Sequence, residues 1–124
     1  MKIVLADREA EIMEVLWELG AATVAEVREQ VEDDLAYTTV LTMLRNLEAK
    51  GYVRHDEEGR AHRYLPVVKR EAAQRSALRD LAAKLFKGSS ALLLTQLVSD
   101  DALTDDDIKR IRRAISQRGK DSKP

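Results

Sequence analysis

Cysteine is absent from this 124-residue chain, so disulfides, thiolate metal sites and cysteine nucleophiles are excluded from the start. No run of about 18 apolar residues occurs, and nothing here is expected to span or insert into a membrane. The opening Met1-Lys2-Ile3-Val4-Leu5-Ala6 turns acidic at Asp7, which is too short an apolar stretch for a secretory signal and points to the cytoplasm. Arg, Lys, carboxylates, hydroxyls and two His remain for chemistry. An enzyme needs an acid, base or nucleophile gathered in a pocket, whereas these carboxylates fall at helix starts and surface positions. No catalytic residue and no cofactor is expected.

A large net charge is missing too. The formal −1 hides a split, because residues 1–66 hold 8 Lys and Arg against 14 Asp and Glu, a net of −6, while residues 67–124 hold 13 against 8, a net of +5. A DNA reader usually shows a basic footprint, so an acidic first half is awkward for that function. Placement matters more than the sum. Most acids precede Tyr37, from Glu9 to Asp34, whereas Arg45, Lys50, Arg54, Arg60 and Arg63 follow it, which polarises the field.

What the chain does have is periodicity. Asp7 can cap a first helix with Ile12, Met13, Leu16, Trp17 and Leu19 on one stripe, and Gly20 stops it. Thr23-Val24-Ala25-Glu26 is a capping box that starts a second helix with Val24, Val27 and Val31 inward. Val40, Leu44 and Leu47 recur at i, i+4, i+7 in a third helix, which Gly51 ends. Three helices with a tight second connection suggest helix-turn-helix. The period then becomes strand-like, with Tyr52 to His55 and Arg60 to Leu65 flanking a polar turn Asp56-Glu57-Glu58-Gly59, and Pro66 closes the hairpin.

Opposite the apolar stripe of the third helix lie Thr38, Thr39, Thr42, Arg45 and Asn46. Hydroxyls can bond phosphates or base edges, Arg can grip guanine and Asn adenine. A solvated face that happens to be rich in Thr has the same composition. A hairpin of this kind can bring His55 and His62 face to face with Asp56 nearby, but two imidazoles without thiolates make a poor metal site. A solvated hairpin is the better reading there, and no metal is expected.

Several motifs carry a resemblance: Glu11 to Trp17, Thr23 to Val27, Tyr37-Thr38-Thr39-Val40, Leu47-Glu48-Ala49-Lys50-Gly51, and Gly59 to Pro66. In this order and spacing, with Leu85-Phe86-Lys87-Gly88-Ser89 and Leu103 to Ile108 beyond them, the chain resembles the BlaI/MecI/CopY family of penicillinase, methicillin-resistance and copper-responsive repressors. The resemblance implies a homodimeric repressor of a pseudo-palindromic double-stranded DNA operator. Its third helix would enter the major groove, with Tyr37 near a phosphate and Arg60 and Arg63 as wing contacts. It also implies induction through a membrane sensor-protease pathway that cuts an Asn-Phe bond in the dimerisation helices. The aligned pair here is Gln96-Leu97, which puts that cleavage in doubt. The copper branch uses C-terminal cysteines, and this chain has none.

The expected fold is mainly α with a small β-hairpin: a winged helix-turn-helix domain over 1–66, a helical dimerisation segment over 67–118 and a disordered tail over 119–124. Leu78, Leu81, Ala82 and Leu85 share one face, Ala91 to Val98 is nearly all apolar with Leu92, Leu93 and Leu97, and Ile108, Ile111 and Ile115 mark a last helix capped by Thr104. Three such helices are too little to bury a core alone, so a partner copy is the expected cover; folding back onto the winged domain is the alternative. A second function also stays open: a winged-helix protein-interaction module that meets a basic partner and does not read DNA.

Overall fold

The computed structural model describes residues 2–121. Their order is α1 (Asp7–Leu19), β1 (Ala22–Thr23), α2 (Val24–Gln30), α3 (Tyr37–Ala49), β2 (Val53–Glu58), β3 (Ala61–Pro66), α4 (Arg70–Leu85), α5 (Ser90–Ser99) and α6 (Asp105–Asp121). They fall into two compact units, the first ending at Ala77 and the second beginning at Leu78.

In the first unit, α1, α2 and α3 enclose a core with the sheet. Ile12, Met13 and Leu16 of α1, Val27 of α2, Val40, Leu44 and Leu47 of α3 and Tyr64 of β3 are all fully buried. Each large apolar side chain taken from water in this way contributes about 1.5–3 kcal/mol before entropy is charged against it. The α1 cap differs from the expected one. Ala6 is the N-cap and Asp7 the first helical residue, while Glu9 reaches back so that its Oε1 accepts from the Ala6 amide at 2.9 Å. A carboxylate at either position suits the positive end of the helix, but only the third helical position, held by Glu9, faces back onto that amide. The α2 box forms as expected, with Thr23 and Glu26 exchanging hydrogen bonds at 3.2 Å.

The sheet has the order β1-β3-β2 and is antiparallel. Its third strand, β1, is two residues long and pairs Ala22 with Tyr64 and Thr23 with Arg63; a strand that short leaves no alternation to read in the sequence. The hairpin is also tighter than expected. Asp56, Glu57 and Glu58 pair with Arg63, His62 and Ala61, so the turn is only Gly59-Arg60. Gly59 has φ 62° there, in the left-handed region that a two-residue turn demands.

The winged unit takes more of the chain than residues 1–66. Val68 and Ala73 join its core, the Trp17 indole donates to the Val68 carbonyl at 2.8 Å, and the Ile3 amide donates to the Ser76 hydroxyl at 2.7 Å. The Arg70 guanidinium lies 5.6 Å from the Trp17 ring centroid and donates to Glu14 at 2.5 Å. These contacts hold the start of α4 and the residues before it against α1 and the N-terminal segment at Ile3.

In the second unit the helix starts are well made. The Ser89 hydroxyl accepts from the Leu92 amide at 3.0 Å, and Thr104 and Asp107 form a reciprocal box at 3.0 and 3.1 Å. Among its described residues only Ala82 is buried. Residues 119–121, expected to begin a disordered tail, continue α6 instead; Arg118 and Lys120 in its last turn complement the negative helix end. The remainder of that tail lies outside the described residues.

Candidate nucleic-acid interface

The buried stripe of α3 fixes what its other side presents. With about 3.6 residues per turn, Thr38, Thr39, Thr42, Arg45 and Asn46 fall within an arc of roughly 120° opposite Val40, Leu44 and Leu47, and all five are exposed. Among the described residues, the side chains of Thr38, Thr39, Arg45 and Asn46 make no hydrogen bond or ion pair. Thr42 is the exception, because its hydroxyl donates to the Thr38 carbonyl at 2.9 Å. In that rotamer it offers a methyl and acceptor lone pairs outward, which narrows it to thymine methyls and amino groups. The face is therefore polar, aligned and almost entirely unspent.

Ala36 caps α3 without a side-chain hydrogen bond, so the positive helix end is left open to an anion. Tyr37 stands at this end, 46% exposed. It also lines an open depression of about 310 Å³ with Ala25, Arg28, Glu29 and Asp34. The Arg28 Nε donates to the Leu35 carbonyl at 2.8 Å and braces the connection between α2 and α3, a role no periodicity could reveal.

The basic residues divide into free and committed. Lys50 donates to both oxygens of Glu9, at 2.8 and 2.9 Å. Burial opposes charge on Glu9, yet hydrogen bonds from Lys50 and the Ala6 amide hold its carboxyl below the ordinary value. Arg54 pairs with Asp56 at 2.8 Å. Arg63 is held by Glu58 at 2.6 Å and Glu26 at 3.1 Å, which raises its already high pKa, the Glu58 hydrogen bond leading. Arg45 on α3 and Arg60 at the wing tip have no carboxylate partner among the described residues. Of the two expected wing contacts, Arg60 is thus available as it stands, and Arg63 would have to exchange a carboxylate for a phosphate.

The wing is tied to α3 by His55, whose Nδ1 lies 2.8 and 2.6 Å from the Glu48 oxygens. Sequence reading missed Glu48, because its partner becomes visible only once the hairpin register is known. The residues expected at a dimer interface lie in the second unit or lead into it. Leu78, Leu81, Leu85, Leu92, Leu97 and Ile115 are exposed, and Leu93, Ile108 and Ile111 are half-buried. Gln96 and Leu97 both sit inside α5, where the Gln96 amide donates to Asp100 at 3.1 Å.

The comparison with known proteins agrees with this geometry. Residues 5–117 match the family model described as Penicillinase repressor. The chain is 35% identical over 117 residues to "Transcriptional regulator BlaI" of Mycobacterium tuberculosis (strain CDC 1551 / Oshkosh), covering 91% of this chain and 83% of that protein. It is 21% identical to "Methicillin resistance regulatory protein MecI" of Staphylococcus aureus (strain N315), covering 92% and 94% respectively. Among solved structures, the DNA-binding domain of the repressor BlaI superimposes with a TM-score of 0.51 at 30% identity, over 58% of this chain and 93% of that one. With the winged helix, the match over nearly its full length and a relative above 30% identity all in agreement, the chain belongs to the penicillinase repressor family of transcriptional regulators.

Proposed function

We propose that this family member is a homodimeric repressor that binds a pseudo-palindromic DNA operator in the cytoplasm, reading each half-site with α3 and resting its wing on the adjoining backbone. One observation carries the reading: the exposed α3 face holds five aligned polar side chains, four of them without a side-chain hydrogen bond among the described residues, directly opposite a fully buried stripe. A merely solvated face needs no such alignment. In this docking Arg45 and Asn46 discriminate bases, the threonines supply methyl and hydroxyl contacts, and Tyr37 and Arg60 meet phosphates. Arg63 joins them by exchanging its carboxylates.

The dimer reading rests on the second unit. Leu78, Leu81, Leu85, Leu92, Leu93, Leu97, Ile108, Ile111 and Ile115 need cover, and a unit with one buried residue among those described does not supply it. A second copy covers these residues and also gives the two-fold symmetry that paired half-sites require. For induction, Gln96-Leu97 is the candidate bond for a membrane sensor-protease pathway. Its helical position means that α5 must open locally before a protease could accept it.

The net of −6 in residues 1–66 favours a second reading, a winged-helix module that docks on a basic protein. Selection of bound sequences from random double-stranded DNA separates the two. A two-fold motif with half-sites about one helical turn apart supports the repressor, and recovery of no motif favours the protein-interaction module.

A further inference from the structure

Outside the reading face, the wing gathers groups with metal-ligand chemistry. Strand side chains alternate, so β2 brings His55 and Glu57 to one face, and the register sets His62 opposite Glu57. The two imidazoles stack with centroids 4.3 Å apart and 11° between their planes. One ligand atom from each of His55, Glu57 and His62 lies within 4.8 Å of the others. Ligands at about 2.0–2.1 Å from a tetrahedral zinc stand roughly 3.4 Å apart, so closing the set takes a shift of the order of an ångström and a turn of one imidazole out of the stack, because parallel rings cannot both aim an in-plane lone pair at one ion. Asp56, which the sequence placed beside the histidines, alternates to the other face and pairs with Arg54.

The Glu48 carboxylate is a second, independent observation. Its oxygens engage the Nδ1 of His55, so Nε2 is the ring nitrogen left for a ligand, the arrangement by which a carboxylate orients a metal-binding histidine. Two thiolate-free imidazoles alone are a weak site; with a third ligand and an orienting carboxylate they make an open one. We infer that His55, Glu57 and His62 bind a divalent late first-row cation, with Glu48 orienting His55 and water completing the shell. Imidazole and carboxylate ligands favour zinc, nickel or copper over magnesium and calcium, which prefer all-oxygen shells.

The position gives the ion a consequence. On the wing, Asp56, Glu57 and Glu58 balance Arg54, Arg60 and Arg63, so a bound dication turns a neutral hairpin positive. Glu48 belongs to α3, so the same ion braces the wing against that helix.

Calorimetric titration of the metal-stripped full chain with Zn²⁺ tests the site without reference to DNA. One ion per chain is expected, with affinity at least tenfold weaker in both His62→Ala and the near-isosteric Glu57→Gln, and about 10–100-fold weaker in Glu48→Gln. Co²⁺ in place of Zn²⁺ should give a visible absorption band that is lost in His62→Ala. Mg²⁺ should bind far more weakly than Zn²⁺. Absence of Zn²⁺ uptake, equal affinity in His62→Ala and the parent chain, or equal affinity for Mg²⁺ would overturn the inference.

Discussion

Among the described residues, Arg45 and Arg60 are the two basic side chains of α3 and the wing that no carboxylate holds, and their placement assigns them different work. Arg45 rides on the groove-facing arc and can discriminate a base by about 1–3 kcal/mol, whereas Arg60 at the turn reaches backbone. Arg45→Ala should relax the selected motif, and Arg60→Ala should weaken binding to every sequence alike. Motifs selected by the two variants decide this, and a change only in Arg60→Ala would reverse the docking. Glu9 works inside the fold. Its carboxyl titrates below the ordinary value of 4.5, so its charged form contributes stability above that value, and the contribution is lost as pH falls through the lower folded value. Urea unfolding at neutral pH and below 4.5 should therefore show a smaller acid loss in Glu9→Gln than in the parent chain. These residues differ in how legible they were. The outward set of α3 followed from the 3.6-residue period alone, but the commitments of Lys50 to Glu9 and Arg63 to Glu58 and Glu26 join residues distant in sequence, and no local pattern encodes them.

At the scale of elements, the parts with strong local chemistry were readable. The Thr23 box, the Gly20 and Gly51 stops and the Val40, Leu44, Leu47 stripe all appear where periodicity and capping put them. Removing the box with Thr23→Ala should cost about 1 kcal/mol, and emptying the stripe with Leu44→Ala about 2–5 kcal/mol, both measured by chemical unfolding. Near-equal costs would mean that α3 is not the centre of the core. The misread parts have long-range causes. The two residues of β1 are a strand only because β3 passes beside them, and the acidic Asp56 to Glu58 continue β2 only because β3 offers a ladder. Asp7 does not cap because the helix starts one residue earlier than expected, with Ala6 as N-cap and Asp7 as the first helical residue, which leaves Glu9 at the third position from which a carboxylate reaches back.

For the whole molecule, the charge distribution sets the salt dependence. With Lys50 and Arg54 engaged by carboxylates and Arg45 assigned to the groove, each proposed wing brings Arg60 and, once it exchanges its carboxylates, Arg63 to phosphates, and at about −0.9 per phosphate the proposed dimer should show a log K against log salt slope near −4 or shallower. Titration from low to physiological salt measures it. A steep slope that flattens when Arg110, Arg112 and Arg113 are changed to Gln would transfer the phosphate contacts to α6. The second unit should hold the two reading helices together through its exposed leucines and isoleucines. The most direct measurement is a footprint of the full chain on its own selected site, with the chain-to-duplex ratio determined by sedimentation. Two chains per duplex and two protected half-sites about one helical turn apart are expected; one chain on a single protected half-site, or uniform protection without a motif, would contradict a paired reader built on α3.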